Sequence, residues 1–199
     1  SNISAQWDLS LSMGFDFKSS PSFRDYINMS FASSGNQIAS FKSAISFSGE
    51  ADYKIAESFA LGLEYNLSLD SYNTPFGIGG IYEISYNMHR PSILAYYIIP
   101  GEGYQFKLGG GAGPRFISLS ERIIDTENYN SSGVGFVLKA EGNTMFSKDF
   151  YALIGLNFRY DLSGEFSNPN TSLINKTINE KMNLNSISFG IYLGVTFIL

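Results

Sequence analysis

The chain holds one histidine, His89, in the stretch MHRPS, three residues before Ser92. A histidine, a serine and a carboxylate are the parts of a hydrolase, as base, nucleophile and orienting acid. The spacing matches no His-x-Ser pattern, and Pro91 predicts a bulge under Ser92, so the sequence reads as a non-enzyme. The run GGGAG at 109–113 invites a phosphate-loop reading. Pro114 and Arg115 follow it rather than a helix, and glycines alternating along a strand explain it better. The chain has no cysteine, hence no thiolate chemistry and no disulfide framework. No His/Cys cluster or Asp-x-Asp-x-Asp-Gly loop points to a metal, and no cofactor is expected.

What remains are charges that recur at every second position of otherwise apolar segments. They form a candidate polar network: Glu50, Glu64, Lys107, Arg115, Lys139, Glu141, Arg159 and Asp161. The same parity gathers Asp8, Asp16, Asp52, Asp70 and Glu83 among the acids, and Lys42 and Lys54 among the bases. Glu50 and Glu64 stand at similar heights on neighbouring segments across a short turn. Two carboxylates buried there need a cation or a proton between them, and Arg115 and Arg159 are the natural counter-charges. The network reads as a plug of ion pairs, with a gate or a small ligand site as the functional alternative.

Such charges need elements that repeat every two residues. In QWDLSLSMGFDF, residues 6–17, Trp7, Leu9, Leu11, Met13, Phe15 and Phe17 share one face, while Asp8, Ser10, Ser12, Gly14 and Asp16 take the other. That is a strand's period. It returns at 41–55, 59–70, 80–99, 104–116, 134–146, 150–162 and 187–199. In 80–99 the apolar face begins with Tyr82, Ile84, Tyr86 and Met88, opposite Glu83, Ser85 and Asn87, and the phase becomes unclear at HRPS. Long links at 18–40, 72–79, 123–131 and 163–186 alternate with short ones near 56–58, 100–103 and 147–149. This describes an up-and-down meander of eight strands in a single domain, residues 1–199. In the first long link, Pro21 suits a first helical turn. Phe23, Tyr26, Ile27 and Phe31 recur at helical spacing, which predicts a short helix at the mouth. The last link, GEFSNPNTSLINKTINEKMN, reads as exposed or as a hairpin extension.

Alternation does not say which stripe faces inward. A lipocalin-like barrel points apolar groups in; an outer-membrane barrel points them out to lipid. Three features favour the second. Charged residues are only 16% of the chain, too few to cover a water-facing surface, and the polar stripe is mostly Gly, Ser and Asn. The segments exceed the roughly 9–11 residues that cross a bilayer at a tilt. Aromatics gather near strand ends, as at Trp7, Tyr53, Phe59, Tyr104, Phe150 and Phe197, where interfacial girdles sit. No apolar run is long enough for a spanning helix, the longest being Ile93 to Ile99. The start SNISAQ reads as the flank of a cleaved leader. A net charge of −5 and a pI near 4.8 argue against nucleic acid. The fold class expected is all-β: an eight-stranded antiparallel up-and-down transmembrane β-barrel.

The meander, the stretch RPSILAYYIIPGEGYQFKLGGGAG (90–113) and the C-terminal SFGIYLGVTFIL (188–199) resemble the small bacterial outer-membrane barrels of the OmpA, OmpX and OmpW kind. The proline leading into a Tyr-Tyr strand, a tight turn and a Gly-alternating strand look most like the OmpW arrangement. The resemblance implies an integral protein of a bacterial outer membrane, in contact with its lipid and lipopolysaccharide. It also implies assembly by the barrel-insertion machinery, with Phe197 as the aromatic of the assembly signal, although this chain ends Phe-Ile-Leu. The function expected is a non-enzymatic barrel with a filled lumen. It would serve as a structural or surface protein, or as a subunit docked to other outer-membrane proteins, through its outer loops. The alternative is an OmpW-like conduit for small apolar molecules, leaving through the wall at Pro91 past inward Val137, Leu153 and Ile117. A lipid-modifying enzyme built on His89 ranks third.

Overall fold

The computed structural model describes residues 7–33, 35–77 and 79–199. Gln6 and the expected leader flank lie outside the described residues. The strands are β1 (Trp7–Ser19), β2 (Lys42–Ala56), β3 (Phe59–Phe76), β4 (Gly80–Gly101), β5 (Tyr104–Arg122), β6 (Thr126–Ser147) and β7 (Phe150–Ser163). Two short ones, β8 (Ile174–Asn175) and β9 (Glu180–Lys181), precede β10 (Ser186–Ile198), and one helix, α1 (Pro21–Ser30), follows β1. Eight of the strands close on themselves in the order β1-β10-β7-β6-β5-β4-β3-β2, every neighbouring pair antiparallel. Closure leaves no free sheet edge, which is what a hydrocarbon surrounding demands of a backbone.

Short turns after β2, β4 and β6 sit at one end, with the start of β1 and the end of β10. The other end carries α1, the β3–β4 and β5–β6 hairpins and the link 164–185. The expected long links at 72–79 and 123–131 prove short, because β3 runs on to Phe76 and β5 and β6 meet across three residues. The four strands rise as two long hairpins above the rest of the barrel.

Strand parity holds along each of these hairpins, but its polarity inverts. Near the short-turn end the outward residues are apolar: Ile93, Tyr97 and Ile99 on β4, and Phe106, Leu108 and Phe116 on β5 are all exposed. In the rising part the outward residues are Ser85, Asn87, Ser118 and Asn128, while Tyr82, Ile84, Tyr86, Met88, Ile117 and Leu119 point in and are buried. The sequence reading placed Tyr82, Ile84, Tyr86 and Met88 on the outward, apolar stripe and Glu83 inside. The structure reverses both, and Glu83 lies outside, 2.7 Å from Arg122. The strand phase does not change; what changes at one height is the face that carries the apolar side chains.

The predicted bulge at Pro91 is likewise absent. β4 stays continuous, and its pairing with β3 runs straight through Tyr65 opposite Pro91. On the other side, pairing with β5 lapses over residues 90–92 and resumes in the same register, from His89–Phe116 to Ile93–Ala112. That register sets Pro91 opposite Pro114, two residues without an N–H to donate, so the ladder opens without slipping. The aromatics at the short-turn end form a girdle, with Trp7–Tyr53 centroids 5.0 Å apart, Phe59–Tyr97 at 5.4 Å and Phe150–Phe197 at 4.9 Å.

Candidate functional site

Inside the barrel the candidate residues come together as stacked ion-pair layers. Nearest the short turns, Lys107 binds Asp52, with Asp8 and Glu141 each 3.6 Å from its ammonium. Gln105 donates to Asp8 at 2.9 Å, and Lys54 lies 3.4 Å from it. Above, Glu50 and Glu64 face each other directly across β2 and β3. Lys139 sits between them, bonded to Glu50, 3.1 Å from Glu64 and 2.9 Å from Glu141. Arg159 donates to Glu64 at 2.8 Å. Tyr96 and Tyr192 donate to Glu50 and Glu141, each at 2.8 Å.

The cations reach these carboxylates because the facing strands are bare. Inward Gly109 and Gly111 lie under Tyr96 and Leu94, and a Cβ on Gly155 would overlap the Tyr192 ring. The glycine run that suggested a phosphate loop is thus the floor on which β4 side chains lie.

One expected pairing differs. Arg159 is a counter-charge of Glu64, but Arg115 is engaged elsewhere, donating through Nε to Asp161 at 2.6 Å. Its Nη1 fills the gap in the β4–β5 ladder, its two N–H groups shared among the carbonyls of Pro91, Gly113 and Pro114 and the Ser92 hydroxyl at 3.0–3.2 Å. A guanidinium, with five donors, is the one side chain able to serve both tasks.

Sequence reasoning missed Arg90, Lys18 and Glu121. Arg90 is fully buried, 2.9 Å from Asp16 and 3.2 Å from Asp161, and it donates to Asn66 at 3.2 Å. Its signal was available: Arg90 keeps the parity of Ser92 and Leu94, and the supposed bulge hid it. Of the further parity-assigned groups, Asp8, Asp16 and Asp52 are buried inside, and Lys42 and Asp70 pair at the rim at 2.6 Å. Between Ser12, Ser46, Asn66, Asn157, Arg159 and Tyr192 no water-sized cavity opens.

Over the ion pairs lies an apolar plug. Tyr82, Ile84, Tyr86, Met88, Ile117, Leu119 and Tyr129 pack against Phe23, Tyr26 and Ile27 of α1. The link 164–185, read as exposed or as a hairpin extension, does carry the short β8–β9 hairpin, and it contributes Phe166, Leu173, Met182 and Leu184 to the same core. α1 forms as the spacing predicts, with Pro21 in its first turn. It is fastened by Glu121, whose Oε1 accepts from Tyr26 at 2.6 Å and Tyr82 at 2.7 Å, while Phe31 stacks on Tyr82 at 3.8 Å. Burial and the adjoining Glu121 carboxylate hold the Tyr26 hydroxyl well above the usual tyrosine range.

His89 and Ser92 face opposite sides of the wall. The imidazole is hydrogen-bonded to the Tyr65 hydroxyl on the outer surface, whereas Ser92 is buried inside against Arg115. Phe197 lies outward on β10, opposite Leu9 and Phe150. Among the described residues no group of three or more metal-ligating side chains occurs.

No known family's sequence pattern and no curated protein matches the chain. Solved structures do match in fold. A major outer membrane protein from Thermus thermophilus is 11% identical, with 98% of this chain and 100% of that one covered and a TM-score of 0.60. Neisserial surface protein A is 11% identical over 98% of both chains, with a TM-score of 0.53. Ail, the attachment invasion locus protein of Yersinia pestis, solved with the heparin analogue sucrose octasulfate, is 10% identical, covering 97% of this chain and 99% of its own, with a TM-score of 0.53.

Proposed function

We infer that this chain, which has the fold of the small outer-membrane β-barrels, is an integral structural or surface protein of a bacterial outer membrane. In such barrels the short turns face the periplasm and the long connections the exterior. The hairpins β3–β4 and β5–β6, α1 and the link 164–185 are then its outer part, and the ion-pair layers lie at the depth of the bilayer. The observation that carries the reading is the double closure of the barrel: charged side chains fill the lumen, and an apolar core seals it above. A pathway for polar solutes would have to break both. The working surface is therefore the outside of the projecting hairpins, where Ser71, Asn73, Ser85, Asn87, Ser118, Ser120 and Asn128 form a polar sheet face that also carries the paired charges Glu83 and Arg122.

Lipid and lipopolysaccharide are the proposed surroundings, and another outer-membrane protein is the proposed partner of that face. Phe197, outward on the last strand, is proposed as the aromatic read by the barrel-insertion machinery. The lumen residues Glu50, Glu64, Lys107, Arg115, Lys139, Glu141, Arg159 and Asp161 serve here as structure. Reconstitution into planar bilayers tests the reading: no steady conductance is expected, and a stable open channel would overturn it.

A second reading is favoured by one feature, the Pro91–Pro114 gap in the β4–β5 ladder. A wall without hydrogen bonds at one height is where a small apolar molecule could leave sideways, with Ile117 and Val137 on its inner side. The Arg115 guanidinium occupies the gap and would have to move. Uptake of an apolar dye by proteoliposomes, compared with empty vesicles and with an Arg115→Ala variant, separates the two readings.

A further inference from the structure

Where β1 runs into α1, a cavity of about 20 Å³ lies among Lys18, Ser20, Arg24, Lys42, Asp70 and Tyr86. That is room for one water molecule or one small ion. Lys18 is only 4% exposed. Its ammonium has the Met88 sulfur at 4.0 Å and the Tyr86 ring at 4.8 Å, and no carboxylate within 4 Å among the described residues. Ser20 adds a second incomplete group. It stands at the N-cap of α1 but makes no capping bond, and its hydroxyl is buried without a hydrogen-bond partner among the described residues. A buried cation and a buried hydroxyl, both short of partners, thus meet at the positive end of a ten-residue helix.

The charges around the cavity do not balance. Arg24 pairs with Asp25 at 2.7 Å and Lys42 with Asp70 at 2.6 Å, which leaves Lys18 as the surplus. In the layer below, Arg90 and Arg115 are matched by Asp16 and Asp161, so no unpaired carboxylate stands next to Lys18 there. We propose that this cavity binds one small monovalent anion, chloride, held by the Lys18 ammonium and the Ser20 hydroxyl at the N-terminus of α1. The volume suits a monatomic ion better than phosphate or sulfate. A water molecule would satisfy the hydroxyl but leave the surplus charge in place. The ion's neighbours come from β1, α1, β2, β3 and β4, so it fastens the cap to the barrel wall.

The experiment compares thermal unfolding of the full chain in detergent as chloride replaces gluconate at constant ionic strength. The midpoint of the wild type is expected to rise saturably with chloride, as binding to the folded state alone requires. Lys18→Met, whose apolar side chain suits the Met88 and Tyr86 surroundings, is expected to fold and to lose the response. Ser20→Ala is expected to keep it with half-saturation raised about fivefold, the worth of one hydrogen bond. Crystals grown in bromide should show one anomalous peak beside the Lys18 ammonium. Equal responses of the wild type and Lys18→Met, or bromide crystals with no peak there, overturn the proposal. Should Lys18→Met fail to fold, Ser20→Ala and the bromide peak decide it.

Discussion

Arg90 offers the sharpest test of the lumen's architecture. Replacing it with Met keeps most of the side chain's volume and removes only the charge and its donors. Asp161 would retain Arg115 at 2.6 Å, but Asp16 would lose the only cation within 4 Å of it among the described residues. Orphaning a buried carboxylate in this way costs about 3–5 kcal/mol, a large part of a typical stability of about 5–15 kcal/mol. Asp16→Asn alone is milder, about 1–3 kcal/mol, because Arg90 keeps Asp161 and Asn66. The decisive variant is the double. Arg90→Met with Asp16→Asn removes the stranded charge, so it should be more stable than Arg90→Met alone, with a coupling of about 2–3 kcal/mol. Urea unfolding in detergent, followed by the gel-mobility difference between folded and unfolded barrel, measures all four corners. Costs that simply add, or an Arg90→Met variant within about 0.5 kcal/mol of the wild type, would refute the ion-pair account.

Three further outcomes follow from the same structure. Glu64→Gln and Arg159→Met should couple by about 1–3 kcal/mol, whereas Glu64→Gln and Arg115→Met should add within about 0.5 kcal/mol, since Arg115 serves Asp161; the same unfolding assay checks both. Gly155→Ala should cost about 1–3 kcal/mol by pushing into the Tyr192 ring, while Gly49→Ala, whose Cβ would meet only Leu11 at 3.6 Å, stays near neutral by that measure. The Tyr26 hydroxyl is raised in the folded state, so its contribution is full below the unfolded value of about 10 and is lost as pH climbs beyond it. Hydrogen exchange should show α1 loosening in alkali but not in mild acid, and Tyr26→Phe should loosen it at neutral pH by about 1 kcal/mol.

Strand parity was legible from the order of residues alone, and with it the inward position of Glu50, Glu64, Lys107 and Lys139, since a period of two needs no tertiary information. The direction of the apolar stripe was also legible, from the scarcity of charge and the Gly and Ser opposite it. Tyr82, Ile84, Tyr86 and Met88 were misplaced because an apolar residue was assumed to mean the same thing along the whole strand. Tyr82 and Ile93 are both apolar, yet only Ile93 lies at the height of the lipid-facing stripe. The inversion then passed for a phase break, and Pro91 supplied a false reason for it, which concealed Arg90. Glu121 was invisible for a different cause. Its partners Tyr26 and Tyr82 lie 95 and 39 residues away in sequence, and only the closed cap brings them together.

The inversion also explains why the two halves of the interior differ. Beside hydrocarbon, apolar side chains gain nothing by turning inward, so the inner face there is free to hold polar groups, and paired charges bind the strands across the lumen. Once the strands rise into water the hydrophobic effect returns, and the same inner face stabilises the fold only if it is apolar. On the inner face of β4 the ion-pair layers begin at Arg90, two residues from Met88, and the apolar side chains that remain below it, Leu94, Tyr96 and Ile98, cluster with Ala60 and Val137. The two halves depend on each other. The ion pairs are strong only while water is kept from them, and what keeps it out above Arg90 is the core formed by Met88, Tyr86, Ile117 and α1. Loosening the cap should therefore weaken contacts far below it, so that a variant in α1 lowers the stability of the barrel as well as the protection of its own helix.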